Sequence, residues 1–230
     1  MALLVLLAAC AWLVLGEGPL PNHGRAFDSS VTESALRLAD DNPGLTPLAE
    51  FLADLGSPLV AGPVLALAVL LTAHATQRRS DRKGNALPRV TDTPSGMASA
   101  LLPVVTVAIA SVVVVSSVAV LKAALGRRPP PEFPFAEADS GFFPSGHAAT
   151  ALLCWGGAVV VPVACRLLTR RCVVVVLVSA AGSVNVAVGA ALVWCGYHWA
   201  LDVLGAWLLT GAVLCVIAAV LLRRAPSPDD

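Results

Sequence analysis

Apolar and polar residues fall along this chain in long blocks, not at the short periods of a soluble domain. Apolar runs cover Ala2 to about Leu15, Ser57 to His74, Met97 to Leu121, His147 to Ala164, Cys172 to Trp194 and Trp199 to Leu222. A helix crosses bilayer hydrocarbon with roughly 20 apolar residues, and all but the first run approach or exceed that length. The third run is rich in valine, which in water favours a strand, but its length favours a membrane helix. The pattern predicts an all-α, polytopic membrane helix bundle of about six transmembrane helices. The first run is short for a span. With no basic n-region and no small-x-small site before Gly16-Glu17, it reads as a retained first helix and not as a signal peptide.

Between the runs lie segments of different character. Residues 17 to about 45 are mixed and mildly acidic, with Pro19, Pro21, Pro43 and Gly44 as breakers. Within them Ser30 to Leu38 is expected as a short surface helix that asks for no function. The stretch QRRSDRKGNALPRVTDTPSG, residues 77–96, reads as a polar loop, and the tail APSPDD as disordered. The expected organisation is one transmembrane domain over residues 1–222, with its informative motifs in 97–215, and a disordered cytoplasmic tail over 223–230.

Composition narrows the class. A hydrophobic share of 57%, a charged share of 13% and a mean hydropathy of +0.80 exclude an ordinary soluble domain. The net charge of zero gives no basis for nucleic-acid binding. The six cysteines (10, 154, 165, 172, 195 and 215) have no C-x-x-C spacing and read as small buried hydrophobes. With six spans, ten of the 15 Lys/Arg share one membrane side with residues 75–96, 165–171 and the C-terminus. The positive-inside rule puts that side in the cytoplasm. The molecule is thus expected in the plasma (cytoplasmic) membrane, with its other face outside.

Two odd polar pieces fall on that outer face. LKAALGRRPPPEFPFAEADSGFFPSGH gathers Lys122, Arg127, Arg128, four of the six phenylalanines and Pro144-Ser145-Gly146-His147. Gly196-Tyr197-His198-Trp199-Ala200-Leu201-Asp202 lies between the last two runs. Cations, a histidine at a helix start and a distant His/Asp pair point to phosphoryl chemistry at a membrane surface. Phe133, Phe135, Phe142 and Phe143, with Trp194, Tyr197 and Trp199, suit an aromatic belt at the interface.

Lys122…Arg128-Pro129, Pro144-Ser145-Gly146-His147 and His198-x-x-x-Asp202 resemble the three signature motifs of the type 2 phosphatidic acid phosphatase (PAP2) superfamily. The resemblance covers about residues 97 to 215, and the combination is specific where either histidine motif alone is weak. It implies a membrane phosphatase acting on a lipid phosphate or diphosphate through a phosphohistidine.

The residues support that chemistry in their own right. Displacement at phosphorus needs a nucleophile, an acid for the leaving oxygen and positive charge around the equatorial oxygens. His198 is the candidate nucleophile, and Asp202, four residues on, shares its helical face and can hold the other ring nitrogen. An Asp in the first turn of a membrane span is costly without a partner. His147 is the candidate general acid for the departing alcohol and then the base for water. Ser145 and Gly146 stand where a helix N-terminus presents free N–H groups to phosphate, and Lys122, Arg127 and Arg128 supply cationic contacts. No metal-ligand spacing is evident, so the expected chemistry uses neither metal nor cofactor.

Two departures from the family pattern stand out. Five residues, not the usual six, separate Lys122 from Arg128-Pro129, which leaves open whether Arg127 or Arg128 fills the arginine role. The third motif usually begins Ser-Arg, where this chain has Ala191-Leu192. The Arg127/Arg128 pair is expected to compensate for that missing cation. A phosphotransferase is the nearest alternative. The lost arginine also raises a non-catalytic lipid-phosphate-binding protein, against which both histidines and Asp202 weigh.

Overall fold

The computed structural model describes residues 2–15, 19–86, 95–131, 133 and 141–224, and among these every regular element is helical. Eight helices follow in order: α1 (Ala2–Leu15), α2 (Pro19–Asp41), α3 (Thr46–Asp54, entered by a 3-10 turn over Pro43–Leu45), α4 (Pro58–Ala86), α5 (Ser95–Leu125), α6 (Gly146–Ala164, with a π turn at Leu152–Gly156), α7 (Arg171–Trp194) and α8 (Ala200–Arg224). The all-α membrane bundle is therefore as expected.

Five helices, α4 to α8, are long and apolar enough to cross a membrane. The sixth expected span, α1, has 14 residues, which at 1.5 Å per residue is about 21 Å against roughly 30 Å of hydrocarbon. It runs antiparallel to α8, with Leu3 beside Gly211 and the Cys10 thiol 3.6 Å from the Leu201 carbonyl. The outward faces of the long helices are as apolar as the interior: Leu59, Leu70, Val112, Val115 and Val176 are all exposed. A bilayer is the solvent such faces require. Inside, α8 packs against α1, α5, α6 and α7 and buries Ala206, Ile217 and Leu221.

Two polar segments differ from expectation. Residues 19–41 form one 23-residue helix, of which the short surface helix expected over Ser30–Leu38 is only a part. Pro19 and Pro21 lie in its first turn, where proline is tolerated, so they start the helix instead of breaking it. Gly24 rests on α1 so closely that a Cβ there would be 2.5 Å from the Leu13 carbonyl oxygen. The basic stretch from residue 77 continues α4 to Ala86, because Gln, Arg, Lys and Ala are good helix formers and Gln77 donates to Asp81 at 3.0 Å. Of the disordered tail expected over 223–230, Arg223 and Arg224 instead continue α8, while 225–230 lie outside the described residues, as do Arg89 and Phe135.

One end of the bundle gathers the unusual pieces. The Trp155 indole donates to the Leu55 carbonyl at 2.9 Å, fastening the α3–α4 turn to α6. Gly56 in that turn meets the His147 backbone, where a Cβ would come within 2.8 Å of the carbonyl oxygen. At the opposite end Arg79 donates to the Arg166 carbonyl at 3.1 Å, joining the basic ends of α4 and α6.

Candidate active site

Backbone contacts stitch the two polar pieces together. Lys122 sits in the last turn of α5, which Gly126 closes in the left-handed region at φ +54°, its N–H donating to the Lys122 carbonyl. The Phe142 N–H donates to the Arg127 carbonyl at 2.9 Å, and Gly141 lies so close that a Cβ would be 2.2 Å from the Lys122 carbonyl oxygen. The returning chain therefore lies directly on the end of α5. Phe143 is fully buried against Gly205 of α8, and the Phe143–Pro144 peptide is cis. Ser145 caps α6, its Oγ accepting from the Ala148 N–H at 3.3 Å. Its own N–H donates to the Asp202 carbonyl at 3.0 Å, a direct bond between the second and third motifs.

The turn bearing His198 is a Schellman exit from α7. Gly196 adopts φ +66°, its N–H bonds the Val193 carbonyl, and the Tyr197 N–H bonds the Leu192 carbonyl at 2.9 Å. The His198 N–H joins the same carbonyl at 3.2 Å. One turn into α8, Asp202 is completely buried, with its Oδ2 3.3 Å from His198 Nδ1 and 3.3 Å from the Trp199 N–H. Its Oδ1 accepts from Arg127 Nη1. A carboxylate held by a guanidinium can only accept, so Nδ1 of His198 is the donor, and in the neutral ring Nε2 keeps a lone pair. Arg127 extends its other arm to Asp28 on α2, Nη2 to Oδ2 at 2.5 Å, and Trp199 covers the guanidinium at 5.3 Å.

The remaining expected residues gather around this line. Lys122 Nζ lies 5.8 Å from the centre of the Phe142 ring, and that ring is 5.6 Å from the His198 imidazole. Among the described residues no carboxylate lies within 4 Å of Lys122. His147, exposed in the first turn of α6, is within electrostatic reach of His198, Lys122 and Asp54. Around Gly146 the space is open, so an anion can approach the free N–H groups of α6. Burial pushes the His198 imidazole below its usual value, with Asp202 opposing and Lys122 and Arg127 reinforcing, which leaves the ring neutral near pH 7. Arg128 is exposed, and its carbonyl accepts from the Trp199 indole at 3.1 Å.

A family model described as the PAP2 superfamily matches residues 100–226, more than half of the chain. The chain belongs to the PAP2 superfamily. Among solved structures it is similar to one described as the first transmembrane PAP2 type phosphatidylglycerolphosphate phosphatase from Bacillus subtilis, at 18% identity and a TM-score of 0.66. That likeness covers 95% of this chain and 93% of the other, and it is a likeness of fold. No curated protein matches the chain.

In this PAP2 chain the two adjacent arginines differ in placement. Arg127 points inward and Arg128 outward. Arg127 is engaged by two carboxylates, however, so it does not stand free as a replacement for the cation missing at Leu192. Leu192 itself is buried, and its carbonyl holds the His198 turn. Sequence reasoning missed Asp28 altogether. A faint signal existed: Gly24, Asp28 and Thr32 recur every four residues and form the buried stripe of α2. Beside Asp28 and Arg127 a pocket of about 350 Å³, lined also by Arg25, Arg128 and Trp199, opens on the α2 side.

Proposed function

We propose that this PAP2 protein is a membrane phosphatase that hydrolyses a lipid phosphate or diphosphate at the outer face of the plasma membrane. The observation that carries the reading is the His198 arrangement: Nδ1 is held by a buried carboxylate, and burial disfavours the charged ring. In the proposed reaction Nε2 attacks phosphorus as the bond to the lipid oxygen breaks, and His147 gives that oxygen its proton. Water then attacks the phosphohistidine, His147 takes the water proton, and the P–N bond breaks to release phosphate and restore His198. Lys122, Arg128 and the first-turn N–H groups behind Ser145 and Gly146 stabilise the equatorial oxygens. The reaction so written is metal-independent. The exposed apolar faces of the spans, which call for a bilayer around the molecule, support a lipid as substrate.

Leu192 favours a second reading, a lipid-phosphate-binding protein without turnover. The deciding experiment is phosphate release by the detergent-purified protein, in EDTA, from phosphatidic acid, phosphatidylglycerol phosphate and a polyprenyl diphosphate. Release that disappears in His198→Ala supports the phosphatase. Release that persists undiminished removes His198 as nucleophile, and binding without release supports the second reading.

A further inference from the structure

We propose that Asp28, on the otherwise unassigned α2 helix, is a positioning residue that divides the Arg127 guanidinium between two carboxylates and so keeps Asp202 on His198. This inference rests on the proposed phosphatase reading and extends it to a part of the chain outside the matched motifs.

Four observations build it. Asp28 is 1% exposed although its helix is amphipathic and mostly exposed. Both of its oxygens are engaged away from α2: Oδ1 accepts the Leu201 N–H at 2.9 Å, and Oδ2 accepts Arg127 Nη2 at 2.5 Å. Arg127 spends its other nitrogen on Asp202 Oδ1, and Asp202 Oδ2 is left to His198 Nδ1 at 3.3 Å. Finally, the Gly24 contact with the Leu13 backbone fixes α2 on α1 one turn before Asp28. A continuous chain thus runs Asp28–Arg127–Asp202–His198, with each side chain at most 8% exposed.

The geometry explains why a second carboxylate is needed. A guanidinium facing a lone carboxylate takes both of its oxygens in a fork, which is the favoured arrangement of that pair. Were that to happen here, Asp202 Oδ2 would turn from His198 to Arg127. Asp28 occupies the second arm and prevents the fork from closing. Its Oδ1 also takes a first-turn N–H of α8, which has no partner within its own helix, and places negative charge at that helix start. It thereby fixes both the side chain of Asp202 and the turn that carries it. The role is one of positioning, since Asp28 reaches the reacting histidine only through two other side chains.

The test compares the full-length detergent-purified protein with Asp28→Asn, which keeps the shape and removes the charge. Expected is a fall in kcat of about 10- to 100-fold with KM unchanged. The imidazole ¹⁵N signals of His198 should change from a single Nδ1–H tautomer to a mixture. In an Arg127→Lys background, which keeps the charge and removes the fork, Asp28→Asn should add no further loss. Should Asp28→Asn not fold, Asp28→Glu, which keeps the charge and displaces the carboxylate, is expected to lower kcat in the same way. Unchanged kcat and ¹⁵N pattern, or losses that multiply independently in the double variant, overturn the proposal. If the wild-type protein releases no phosphate while the ¹⁵N pattern still changes in Asp28→Asn, the phosphatase reading falls and the positioning role stands.

Discussion

At His198, burial and the nearby Lys122 and Arg127 disfavour the proton, while Asp202 favours it, and burial dominates. The folded value lies below the unfolded 6.5. Below pH 6.5 the unfolded chain therefore binds a proton that the folded protein refuses, and this contribution to stability is full above that pH and declines beneath it. If neutral His198 is the nucleophile, the acid limb of kcat/KM should lie below pH 6.5. A limb at or above 6.5 in a pH–rate profile counts against that role. The two arginines make a second prediction. Arg127→Ala strands two buried carboxylates and should cost about 3–5 kcal/mol of stability, whereas Arg128→Ala at the exposed position should leave the detergent thermal transition nearly in place. Equal shifts would contradict the inward placement of Arg127. The candidate residues themselves were legible because histidine, aspartate and paired arginines are conspicuous between apolar runs. Arg127 and Arg128 were indistinguishable in sequence, as adjacent positions differ only in the direction that the Gly126 turn imposes.

Among the elements, α8 does the most to bring the motifs into register. Its Gly205 receives the Phe143 ring at a place where a Cβ would come within 2.5 Å of ring carbon. The ring is fully buried, so it has nowhere to move. Gly205→Val should therefore destabilise the fold by about 1–3 kcal/mol and, by displacing Pro144-Ser145, lower turnover. Gly211→Ala on the same helix meets only Leu3 at 3.8 Å and serves as the control. Matching thermal shifts for the two variants would dismiss the contact as a determinant. The long spans were readable because uninterrupted apolar length is itself the membrane signal. Helix α2 was not. Its prolines read as breakers when they are starters, and its fully buried positions, Gly24, Asp28 and Thr32, are not apolar, so only Val31 and Ala35 hint at a core-facing side.

For the whole molecule, the decisive property is that the candidate site and most of the basic residues occupy opposite ends of the bundle. Arg78, Arg79, Arg82, Arg166, Arg170, Arg171, Arg223 and Arg224 belong to the end joined by the Arg79–Arg166 contact, while Lys122, Arg127 and Arg128 belong to the site. The proposed orientation, taken from the positive-inside rule, has the basic end in the cytoplasm and the site outside. Two thiols at opposite ends test this. Cys172 is exposed at the basic start of α7, and Arg128→Cys places a thiol at the exposed rim of the site. The other exposed cysteine, Cys215, lies in the middle of α8, where hydrocarbon shields it from a charged reagent. In intact cells a membrane-impermeant maleimide should label Arg128→Cys and spare Cys172 until the membrane is opened. The opposite pattern would invert the molecule, and the phosphate group to be removed would then be one presented by the cytoplasmic leaflet.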